Sequence, residues 1–77
     1  MNVTPQERMA LLYILLGYTD KEIAKKMKIS YATVRTYLLR GTLKLSARNT
    51  THAAFKYLLK LSPEVYLKTV KELQESL

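Results

Sequence analysis

Residues 19–39, TDKEIAKKMKISYATVRTYLL, hold two capped helical segments separated by only two to three residues. That spacing restricts the fold more than any other feature of the chain. Thr19 followed by Glu22 is a capping box: the hydroxyl accepts from the N–H three residues on, and the carboxylate accepts from the cap's own N–H. Ser30 is placed to cap the next segment. Ile23, Ala24 and Met27 form an apolar stripe on the first segment, and Val34 and Leu38 lie one turn apart on the second. Ile29 plugs the connection, and Ala24 is small where the two helices must cross closely.

Two short helices joined this tightly, the second one basic, make a helix-turn-helix. In that motif the second helix lies in the major groove of DNA while the first crosses the backbone. Capped helix pairs with a tight turn also occur in proteins that bind no DNA, so spacing alone leaves both readings open. Charge favours the first. Eight of the thirteen basic side chains fall in residues 20–48, with only Asp20 and Glu22 as acids. A basic centre in a small chain of formal net charge +7 suggests a polyanionic partner.

The remaining punctuation is helical as well. Thr4, Pro5 and Glu7 form a capping box with proline at the first helical position. That helix runs to about Leu16 and stops at Gly17. Asn49 or Thr50 can cap a fourth helix, and Ser62-Pro63 can open a fifth. No segment alternates as a strand would. The expected fold is all-α: a compact four-helix domain over residues 1–61, with a second helix at about 20–27, a recognition helix at about 31–44 and a fourth at about 50–61. An additional C-terminal fifth helix is expected over residues 62–77.

Several classes are disfavoured. With 77 residues and no cysteine, the chain is one domain without a disulfide framework or a cysteine-based metal site. Its longest apolar run, MALLYILL at residues 9–16, is too short for a bilayer, which needs about 20 residues. MNVTPQER does not read as a signal peptide, and a cytoplasmic location is expected. His52 is the only histidine and stands at a helix start, and no phosphate-binding glycine loop is present. Neither an enzyme, a cofactor nor a small-molecule ligand is expected.

Residues 3–55 resemble the LuxR/GerE-type helix-turn-helix domain without a gap. The matching elements are Thr4-Pro5, Glu7, Leu11, Gly17, Lys21-Glu22-Ile23-Ala24, Ile29-Ser30, Thr33-Val34, Leu38, Lys44-Leu45, Arg48-Asn49 and Ala53. The resemblance implies a four-helix, LuxR-like DNA-binding domain of bacterial or phage origin that dimerises through its fourth helix. The chain departs from the family at Gln6, Met9, Tyr37 and Gly41, where the family usually has arginine, glutamate, histidine and a large aliphatic residue. TVRTYLLRG also resembles sigma-factor region four, whereas KLSARNTTHAA is LuxR-like.

At about 100° per residue, Leu38, Gly41 and Leu45 fall within about 40° of Val34 and face the domain. Arg35, Leu39, Ala32, Thr36 and Arg40 face outward. The family's base-reading positions fall on Arg35, Thr36 and Leu39, with Ala32 and Tyr31 near the helix start. Arginine can bond guanine O6 and N7, and threonine, alanine and leucine can meet thymine methyls. Phosphate contacts are expected from Thr19, Lys21, Lys25, Thr33, Tyr37, Arg40 and Lys44. Dimerisation is expected from Ala54, Leu58 and Leu61 on the fourth helix and Tyr66, Val70 and Leu73 on the fifth. The fifth helix has two further possible roles, covering the core or meeting a partner.

Two functions fit. The first is a stand-alone transcriptional regulator binding pseudo-palindromic double-stranded DNA as a homodimer. The second is an interaction module of the same fold that contacts RNA polymerase, a sigma factor or another regulator. Gly41 is expected within a continuous helix, its missing side chain replaced by the first helix or by the Tyr13 ring.

Overall fold

Helix starts in this chain are fixed by side-chain acceptors. α1 (Pro5–Leu15) begins at Thr4, whose hydroxyl accepts from the Glu7 N–H at 3.2 Å while Glu7 Oε1 accepts from the Thr4 N–H at 2.9 Å. α2 (Asp20–Met27) repeats the box with Thr19 and Glu22 at 3.2 and 2.9 Å. α3 (Tyr31–Lys44) begins at Ser30, which accepts from the Thr33 N–H at 3.1 Å. α4 (Thr50–Leu61) follows Asn49, whose Oδ1 accepts from the His52 N–H at 2.8 Å. The structure, a computed structural model, describes residues 2–61, 63, 64, 67, 68 and 71. The expected fifth helix, including Tyr66, Val70 and Leu73, lies largely outside the described residues.

The first three helices end alike. Tyr18, Ile29 and Ala47 each donate an N–H to the carbonyl five residues back, at 3.2, 3.0 and 3.0 Å. The residue before each donor has a positive φ: Gly17 at 88°, Lys28 at 57° and Ser46 at 52°. This closure satisfies carbonyls that the helix leaves open and reverses the chain sharply. At Lys28 it produces the short turn that sets α2 against α3.

The core is where the four helices meet. Ala10 and Leu11 from α1, Ile23 and Ala24 from α2, Val34 and Leu38 from α3, and Ala53 and Ala54 from α4 are buried. α1 packs on α3 and α4, and α2 packs on α3, which leaves one side of α3 uncovered. Among the described residues, no helix is long and apolar enough to cross a membrane.

α3 continues through Gly41, which is buried. A Cβ at that position would stand 3.0 Å from Leu11 Cδ1. Leu11 of α1 therefore takes the space, not Tyr13, whose ring packs against Tyr18 with centroids 5.3 Å apart. The chain exchanges a side chain on α3 for a close approach of α1. Restoring a large aliphatic group, Gly41→Leu, is expected to cost about 1–3 kcal/mol through overpacking, despite the better helix propensity. Urea unfolding measures this.

Candidate nucleic-acid interface

The uncovered side of α3 carries Tyr31, Ala32, Arg35, Thr36, Leu39, Arg40 and Leu43, all exposed. They share a face because Val34, Leu38 and Gly41 bury the opposite one. Leu39 and Leu43 remain 60% and 69% exposed, large apolar groups on the outer side of a basic helix. The Thr36 hydroxyl donates to the Ala32 carbonyl at 3.1 Å, which fixes its rotamer. Its oxygen can still accept a hydrogen bond, and its methyl is free to make contact.

Arg35 is not a free cation. Its Nη1 donates to Asp20 Oδ2 at 2.7 Å, joining the start of α2 to the first turns of α3. The hydrogen bond to Asp20, then the neighbouring Tyr31 and the Asp20 charge, hold the guanidinium more firmly protonated than usual.

The expected phosphate ligands divide into two groups. Arg40 is exposed on this face, and Lys21 and Lys25 are exposed on α2, as is Thr19, whose hydroxyl also caps α2. The Thr33 hydroxyl shares a 2.7 Å hydrogen bond with Ser30, and Tyr37 is half-buried against the core. Lys44 is engaged within the fold. Its Nζ donates to Glu7 Oε1 at 2.8 Å, the side chain is 18% exposed, and Glu7 is almost wholly buried. Glu7 points inward because its cap on Thr4 holds it there, so the cation that neutralises it serves the fold.

Another basic residue borders this face from the connection between α3 and α4. A groove of about 330 Å³ between α3 and the start of α4 is lined by Arg35, Leu39, Thr42, Arg48, Asn49 and Thr50. Arg48 counted in the sequence only as charge and as a family match. The useful signal was its position just before the Asn49 cap, where a chain reversal brings it back beside α3. By contrast, Lys56 donates to the Leu45 and Ser46 carbonyls, both at 3.1 Å, and closes the end of α3.

The residues expected to form a dimerisation stripe on α4 differ in exposure. Ala54 is fully buried and Leu58 is 9% exposed, because α1 covers that side of α4 within the same chain. Leu61 stays 55% exposed and Leu59 44%. A shallow groove on α4 is lined by His52, Phe55, Lys56 and Leu59. Among the described residues, no group of three or more His, Cys, Asp or Glu could hold a metal.

A tightly turned helix pair with an uncovered basic second helix defines a helix-turn-helix domain of the DNA-binding class. Residues 1–56 match the family model described as GerE, bacterial regulatory proteins of the luxR family. The chain belongs to this family, whose helix-turn-helix domains are DNA-binding regulators and not enzymes. Comparisons with curated proteins and with solved structures gave no match.

Proposed function

We propose that the chain is a sequence-specific transcriptional regulator that binds a pseudo-palindromic DNA duplex as a homodimer, with α3 of each subunit in the major groove. The observation that carries this reading is the exposed face of α3. Arg35, Thr36, Leu39, Ala32 and Tyr31 supply hydrogen-bonding and methyl-contacting groups to base edges. Thr19, Lys21, Lys25, Arg40 and, from the connection before α4, Arg48 supply the phosphate contacts around it. Pairing through the outward face of α4, at His52, Phe55 and Leu59, leaves α3 free for DNA. Half-sites then lie about 10 bp apart, centre to centre, or a multiple of that.

Duplex binding measured at several salt concentrations tests this. Each neutralised phosphate contributes about 0.9 to the slope of log affinity against log salt. A dimer with several cations per subunit is expected to give a slope of about −5 or steeper. Arg40→Ala should flatten the slope by about one per subunit and leave sequence preference unchanged. A wild-type protein with no saturable duplex binding at low salt favours the interaction-module reading, in which the same fold contacts RNA polymerase or another regulator.

A further inference from the structure

Asp20 is a carboxylate beside a surface that otherwise presents cations to a polyanion. It is the first residue of α2, its side chain is 22% exposed, and its carboxylate accepts from Arg35 Nη1 at 2.7 Å. Near DNA its charge repels phosphates, and that penalty falls on every sequence alike. The benefit does not. A guanidinium holds five N–H donors in a rigid fork, so one can be given to Asp20 while others address the two acceptors of a guanine. We propose that Asp20 is a specificity-determining positioning residue. It aims the Arg35 guanidinium at guanine, and its charge weakens binding wherever Arg35 has no guanine to bond.

The alternative is a latch that keeps Arg35 off DNA. Magnitude decides between them. Ion pairs between exposed side chains are weak, so this one cannot withhold a long side chain from a guanine. A weak contact can still bias which rotamer a flexible arginine occupies. The fold does not need Asp20 for its cap, since Thr19 and Glu22 close that box themselves.

The proposal rests on α3 reading the major groove, and the experiment separates the two. Affinities of the full chain are measured for a selected duplex and for the same duplex with the Arg35-contacted guanine replaced. Asp20→Ala is expected to strengthen binding to the altered duplex and to lower discrimination by roughly two- to fivefold. Asp20→Asn, which keeps an acceptor without the charge, should fall between. In an Arg35→Ala background neither substitution should change discrimination. Unchanged discrimination in Asp20→Ala overturns the proposal. So does an equal gain on both duplexes, the signature of a latch, or an equal change without Arg35. If the unsubstituted chain selects no duplex, the groove reading fails and takes this proposal with it.

Discussion

Arg35→Ala is expected to reduce discrimination at one base pair of each half-site by roughly 5- to 100-fold, while the protein stays folded. In the proposed complex Arg35 is the side chain on α3 best equipped to read a base: it is 60% exposed, and it stands beside Thr36 on the uncovered face. The contact it loses on substitution, to Asp20, lies at the surface and supports the fold little. The loss should therefore appear in binding to a selected duplex and not in the melting temperature. Affinity for unrelated duplexes should fall much less, because a base contact differs from a phosphate contact in being sequence-dependent. Competition binding with matched and mismatched duplexes, run beside a thermal melt, checks both halves of the expectation.

Lys44→Met should have the largest effect on stability. It keeps most of the apolar stem but removes the cation that faces Glu7 at 2.8 Å, leaving a nearly buried carboxylate without its ionic partner. Breaking a buried pair costs about 3–5 kcal/mol, and the partial exposure of Lys44 brings this nearer to about 2–3 kcal/mol at neutral pH. The pH dependence carries a clear sign. Burial pushes the Glu7 carboxyl up, but hydrogen bonds from Lys44 and Thr4, together with the Lys44 charge, outweigh it and hold the group below its usual range. A carboxyl depressed in the folded state contributes stability that is present above its unfolded pKa and lost as pH falls through the folded one. Wild-type stability should therefore decline below about pH 4.5. In Lys44→Met only the Thr4 hydrogen bonds still oppose burial, so Glu7 takes up a proton more readily in the folded state than in the wild type. The deficit of the variant should narrow as pH falls. Urea unfolding at pH 7 and pH 4 measures both values.

Much of the fold could be read from the sequence because its signals are local. Thr4 with Glu7, Thr19 with Glu22, and Ser30 are helix caps whose partners lie three residues away. The inward set Val34, Leu38 and Gly41 follows from helical periodicity alone. What the sequence hid depends on residues distant along the chain. That Lys44 meets Glu7, 37 residues earlier, could not be read from either segment. Ala54 and Leu58 formed a plausible pairing stripe, but periodicity cannot say which neighbour covers an apolar face, and here α1 does. Leu11 filling the space at Gly41, and Asp20 meeting Arg35, are likewise juxtapositions made by the turn after α2 and the packing of α1. Charge marked the interface in outline and could not tell Arg48, which borders it, from Lys56, which closes α3.

Selection of duplexes from a random pool by the unsubstituted chain, followed by sequencing, tests the central claim most directly. Site symmetry reports the dimer, and conserved guanines report the arginine. The account predicts two inverted half-sites about 10 bp apart, or a multiple of that, each with a guanine whose enrichment disappears in Arg35→Ala. A pool that stays unenriched at low salt, or enriched sites that are the same with and without Arg35, would contradict it.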